Sequence, residues 1–121
     1  MARILIIEDD PLMLRMYEKV FKYEGFEVVL VNNGKEGVGL AKTSNPSLVV
    51  LDLMMPEMDG LQVLELLKKD ETTKHIPVVI LTNLVNDSVL NTAMSLGAKG
   101  YLVKSEISND KIVEEVKKYL S

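Results

Sequence analysis

Apolar residues gather in five short runs, at residues 4–7, 28–31, 48–51, 78–81 and 101–103, at roughly regular spacing. Most are β-branched and continuous rather than alternating, which is the pattern of strands buried on both faces of a parallel sheet. Between the runs the spacing becomes helical. Met13, Met16, Tyr17, Val20 and Phe21 share one face of a helix that starts near Asp10-Pro11, and proline suits a first helical position. Val63, Leu64 and Leu67 stripe another helix after Gly60. Ile112, Val113, Val116, Tyr119 and Leu120 stripe a C-terminal helix whose cap is Ser108 or Asn109. Residues 34–42 and 87–96 carry thinner stripes. Gly37 and Gly39 interrupt the first, and Gly97 reads as a C-terminal cap on the second.

The count is five β-α units, with no internal linker, low-complexity tract or repeat, so residues 1–121 read as one domain. Right-handed crossovers turn this order into an α/β, doubly wound (βα)5 three-layer sandwich. The predicted parallel sheet has the flavodoxin-like strand order 2-1-3-4-5. Strands 1 and 3 are then neighbours at the switch point, where such sheets bind ligands. Glu8-Asp9-Asp10 ends the first run and Asp52 the third, so all four carboxylates fall at that crevice. Like charges held so close call for a divalent cation between them. Asp10 has two readings, N-cap of the first helix or further ligand, and the cap is the better supported.

Composition narrows the function classes. The chain carries 14 basic and 18 acidic residues, with arginine only at positions 3 and 15. Its lysines are scattered, which argues against direct nucleic-acid binding. No apolar stretch approaches the roughly 20 residues of a membrane span, and MARILII lacks the long apolar region and cleavage site of a signal peptide. The absence of cysteine excludes a disulfide framework and a thiolate metal site. The expectation is a cytoplasmic protein that makes no use of a membrane.

Three more residues stand at or near the same sheet edge. Thr82 closes VVILT, Lys104 closes YLVK, and Tyr101 lies within that last run. A carboxylate nucleophile, an acid pair for a metal, a hydroxyl and an ammonium suit phosphoryl transfer, where charge neutralisation is most of the catalysis.

The segments ILIIEDDP, LDLMMPEMDG, VVILT and GAKGYLVK stand in the order and spacing of a receiver domain of two-component response regulators, and the chain resembles that family from first residue to last. The resemblance implies that Asp52 is the phosphoacceptor. It implies a Mg²⁺ ion held by Asp9 directly, by Glu8 mainly through water, by Asp52, and by the main-chain carbonyl of Met54. Lys104 would contact the phosphoryl group, and Thr82 and Tyr101 would form the switch pair. The donor would be a sensor histidine kinase or a histidine phosphotransfer protein. Downstream it implies an output domain or effector protein, or a phosphorylation-dependent homodimer, and no enzymatic turnover of its own. The chain is then a single-domain regulator or a receiver cut from a longer protein.

The sequence departs from the family pattern in places. Ser105 stands where proline usually follows the lysine, in a cis bond. A non-proline cis bond costs about 2.5–4 kcal/mol, so this loop is either trans or strained. Asn83 is larger than the small residue that commonly follows the switch threonine, and Met54 and Leu84 flank the site where some relatives carry polar groups.

Each residue also has a plainer reading. Taken singly, Asp52 is a turn or helix cap, Thr82 a strand end and Tyr101 a packing residue. Pro56, Asp59 and Gly60 read as turn and helix-start geometry. Met54, Met55 and Met58 read as loop packing, and His75 as solvated. The main rival function is a Mg²⁺-dependent phosphatase working through an aspartyl-phosphate, but EDDP lacks the Asp-x-Asp pair common in that chemistry. A flavodoxin-like cofactor carrier needs a Ser/Thr/Gly-rich loop where the acids stand. A non-phosphorylated receiver-like interaction module would not need the intact acid set and Lys104.

Overall fold

The computed structural model describes residues 2–55, 58–84 and 86–120, so Pro56 lies outside the described residues. Strands β1 (Arg3–Ile7), β2 (Glu27–Val31), β3 (Leu48–Leu51), β4 (Val78–Thr82) and β5 (Gly100–Val103) alternate with helices. These are α1 (Pro11–Tyr23), α2 (Gly34–Ser44), α3 (Gly60–Lys69), α4 (Asp87–Leu96) and α5 (Asn109–Lys117). The sheet is parallel throughout, in the predicted order β2-β1-β3-β4-β5.

Successive residues of a strand face opposite sides of its sheet, and here both sides are covered. Leu5, Ile7, Val49, Leu51, Val78 and Ile80 pack under α2, α3 and α4. Ile4, Ile6, Leu48, Val50, Val79 and Leu81 pack under α1 and α5, against Tyr17, Phe21, Ile112 and Val116. This two-sided burial is why the strand runs are unbroken in the sequence.

Four helices begin on a side chain that accepts a hydrogen bond from the first turn. Asp10 accepts from the Leu12 N–H, Asn33 from Glu36, Asp59 from Gln62 and Asn86 from Val89. α5 follows Ser108, which makes no such bond. Gly37 does not break α2. A Cβ there would stand 2.5 Å from Ile7 Cδ1, so the glycine lets the helix lie flush on the end of β1. At the other edge β5 stops at Val103, and Lys104 opens a single 3₁₀ turn, Lys104–Glu106. The pairing ends at Thr82 opposite Val103, so residue 104 has no strand left to join.

Candidate functional site

Glu8 and Asp52 are the first residues beyond β1 and β3, and sheet bonding carries on one step past each strand. The Glu8 N–H donates to the Val31 carbonyl at 3.0 Å and the Asp52 N–H to the Ile7 carbonyl at 3.1 Å. Both backbones are thereby fixed side by side at the C-terminal edge of the sheet. Both residues are buried, 2% and 5% exposed. Half-buried Asp9 adds a third carboxylate, and one oxygen from each of Glu8, Asp9 and Asp52 lies within 4.8 Å of the others. A set made only of hard oxygen donors fits a small divalent cation such as Mg²⁺ or Mn²⁺ better than a softer metal. Asp10 stays outside this set as the cap of α1.

Lys104 reaches into the same place. Its ammonium donates to Asp52 Oδ2 at 2.7 Å and also to Glu8 Oε1. Two buried carboxylates side by side are costly without an opposite charge, and this lysine supplies one from within the chain. The sequence places Lys104 at the site, but no signal in it shows that the ammonium bridges both acids. Burial works against the Lys104 charge, but the bonds to Asp52 and Glu8 outweigh it and hold the group above the usual lysine range. Burial pushes Glu8 up to about 7 and the charge of Asp52 adds to this, against the pull of Lys104 and of the Asp10 N–H.

The other oxygen of Asp52, Oδ1, accepts the Met54 N–H at 3.0 Å. The Met54 backbone is thereby tied to the acid while its side chain stays 54% exposed. Met54 therefore does not pack in the loop as expected, whereas Met55 is buried and Met58 half-buried. Gly60 presses on the same segment. A Cβ there would stand 2.5 Å from both the Asp52 carbonyl oxygen and Leu53 Cα. The start of α3 thus leans directly on the backbone that carries the acid.

Thr82 is fully buried at the end of β4, and its hydroxyl accepts the Leu84 N–H at 3.1 Å. Tyr101 faces outward, lining a groove with Val103, Glu106, Ile107, Lys111 and Glu115. The structure thus gathers Glu8, Asp9, Asp52 and Lys104 at one point and sets Thr82 and Tyr101 on the neighbouring strands. His75 is exposed. The Lys104-Ser105 bond is trans, there being no cis peptide among the described residues.

One residue near the site was not singled out by its chemistry. Tyr17 is buried and its hydroxyl has no protein hydrogen-bond partner among the described residues. Burial, and then the charges of Glu8, Asp52 and Asp10, hold the phenol above its ordinary range, so it stays neutral on the acid side of α1. In the sequence it is only one member of an apolar stripe. A buried polar group without a partner costs about 1–3 kcal/mol. Tyr17→Phe is therefore expected to raise the melting temperature by about 4 °C or more. A lower melting temperature in calorimetry would show that the hydroxyl is satisfied.

The model of the response regulator receiver domain family matches residues 4–117. Over 117 residues the chain is 31% identical to the polar-differentiation response regulator DivK of Brucella anthropi, covering 97% of this chain and 94% of that protein. The crystal structure of the Mn²⁺-bound form of the response regulator Rcp1 matches with a TM-score of 0.86 at 28% identity, over 98% of this chain and 94% of that one. The chemotaxis protein CheY4 of Vibrio cholerae shares the fold, with a TM-score of 0.91 over 99% of both chains at 22% identity. The chain belongs to the response regulator receiver domain family. No helix among the described residues is long and apolar enough to cross a membrane.

Proposed function

We propose that Asp52 accepts a phosphoryl group, in a Mg²⁺-dependent reaction, from a sensor histidine kinase or a histidine phosphotransfer protein. The observation that carries this reading is one buried carboxylate held at both oxygens. Met54 N–H holds Oδ1, and Lys104 holds Oδ2 within an acid cluster of metal-binding geometry. In the transfer a carboxylate oxygen of Asp52 forms a bond to phosphorus while the phosphorus–nitrogen bond to the donor histidine breaks, and the nitrogen leaves with its electron pair. Glu8, Asp9, Asp52 and the Met54 main-chain carbonyl would hold the metal. When bound, it neutralises charge on the phosphoryl oxygens. Lys104 turns its ammonium from Asp52 Oδ2 to one of those oxygens. The protein's share is positioning and charge neutralisation, which is what this chemistry needs.

Thr82 is the sensor of the product. Its hydroxyl leaves the Leu84 N–H and donates to a phosphoryl oxygen, which frees room for Tyr101 to turn inward from its outward position. The change is a population shift of the α4-β5-α5 surface between two states. That surface then meets an effector protein, an output domain or a second phosphorylated copy. The chain does not act as an enzyme that turns over phosphate esters, and it acts in the cytoplasm. Incubation with acetyl phosphate and Mg²⁺ is expected to add one phosphoryl group, read as intact mass. The adduct is expected to be absent in Asp52→Ala and in excess chelator. An adduct that survives either change would refute the assignment, and turnover of a small phosphate ester would favour the phosphatase reading. With beryllofluoride in place of the phosphoryl group, NMR shifts are expected at residues 86–96 and 100–104.

A further inference from the structure

Two departures from the family pattern meet each other in space. The Ser105 N–H donates to Asn83 Oδ1 at 2.8 Å, across 22 residues of sequence. Proline at 105 would have no N–H to give, and a small residue at 83 would have no acceptor that reaches so far. Ser105 is the middle residue of the 3₁₀ turn that Lys104 opens. Backbone N–H groups at the start of such a turn have no partner within it, and Asn83 supplies one. Asn83 follows Thr82, and Ser105 follows Lys104. One hydrogen bond therefore ties the residue after each of two groups that the receiver reading assigns to the same phosphoryl group.

We propose that Asn83 is a positioning residue that clips the Lys104 turn to the end of β4, so that Lys104 and Thr82 move toward the phosphoryl group together. This rests on the function proposed above for those two residues. Asn83 is exposed and its side-chain oxygen is taken by the Ser105 N–H, so its effect runs through the clip. A single neutral hydrogen bond contributes modestly, about three- to tenfold in a rate or equilibrium.

The test uses the whole chain and two kinds of measurement. Asn83→Ala is expected to speed hydrogen exchange at the Ser105 amide about three- to tenfold. It is also expected to slow phosphoryl uptake from phosphoramidate by a similar factor at saturating donor, with little change in the donor concentration needed for half-maximal rate. In a Lys104→Ala background the same substitution is expected to slow uptake no further, because the residue acts through the lysine. A second measurement needs no phosphoryl group. Thr82→Ala is expected to shift the Ser105 amide resonance when Asn83 is present and to leave it unmoved in Asn83→Ala. Unchanged exchange at Ser105, equal slowing in both lysine backgrounds, or a Ser105 shift that persists without Asn83 would each overturn the clip. If the wild-type chain takes up no phosphoryl group at all, the receiver reading fails, and the Thr82–Ser105 shift still decides whether the two loops are coupled.

Discussion

Lys104→Ala is expected to destabilise the metal-free chain by about 3 kcal/mol at pH 8 and by clearly less at pH 5. Removing one partner of a buried ion pair is worse than never having the pair, because the remaining charge is left without an opposite one. Here the ammonium bonds both Glu8 and Asp52, so two buried carboxylates would face each other. For a chain of this size the loss corresponds to roughly 10 °C in melting temperature. The pH dependence follows from Glu8. Its carboxyl in the folded chain is raised from 4.5 to about 7, so between those values the folded state binds more protons than the unfolded state. Stability from this group is therefore fully present below pH 4.5 and is lost as pH rises through about 7. Without Lys104 the main influence pulling Glu8 down is gone, its carboxyl rises further, and the loss continues to higher pH. The gap between variant and wild type should open as the solution becomes more alkaline. Mg²⁺ at 100 times its dissociation constant would return about 2.7 kcal/mol to either chain. Because Lys104 holds two of the metal-binding carboxylates, the variant should reach that point at a lower Mg²⁺ concentration. Thermal melts at the two pH values, with and without Mg²⁺, decide this. Equal melting temperatures for the two chains at pH 8 would mean that the lysine does not neutralise the cluster.

The second large effect concerns the lifetime of the phosphoryl group. Hydrolysis needs a water in line with phosphorus, on the side opposite the Asp52 oxygen. Met54, two residues past Asp52, is exposed beside it, and Leu84, two residues past Thr82, is half-buried against the core of α2, α3 and α4. Leu84 offers no hydrogen-bonding group and Met54 only a weak thioether acceptor to orient the water, and Asn83 next to Leu84 is engaged with Ser105. Lost positioning commonly costs one to two orders of magnitude in rate, about 10- to 100-fold. Met54→Asn with Leu84→Glu is therefore expected to shorten the lifetime by that factor. The decay of the phosphorylated chain after donor removal measures it. Decay of the wild type within seconds, or an unchanged rate in the double variant, would rule out the apolar side chains as the cause.

The fold and the acid cluster were legible in the sequence for the same reason. Strands buried on both faces leave unbroken apolar runs, and the residue that ends a run ends at the sheet's edge. That reasoning places Glu8, Asp52, Thr82 and Lys104 at that edge. It fails where a side chain's direction is set by tertiary contact. Nothing in YLVK says that Lys104 leaves the strand and bridges two acids. The stripe containing Tyr17 says that the ring is buried, but not that its hydroxyl points to the charged end. The methionine run at 54 and 55 looks uniform, yet the first side chain, beside the backbone bond to Asp52, is exposed and the second is buried. Asn83 and Ser105 stood out only as departures, because sequence spacing carries no information on a contact between two loops.

Gly60 gives the molecule a weak point that has no chemistry of its own. The added methyl of an alanine would collide with backbone atoms 2.5 Å away, and backbone cannot rotate aside as a flexible side chain can. Relief has to come from moving either the first turn of α3 or the segment that carries Asp52. In a saturation library sorted for phosphoryl uptake, position 60 should therefore be depleted of substitutions almost as strongly as position 52. Position 39, where an added Cβ meets nothing within 4 Å, should accept them freely. Mutational intolerance in this protein would then trace two superimposed maps, one of reacting groups and one of backbone clearance, and only the structure separates them.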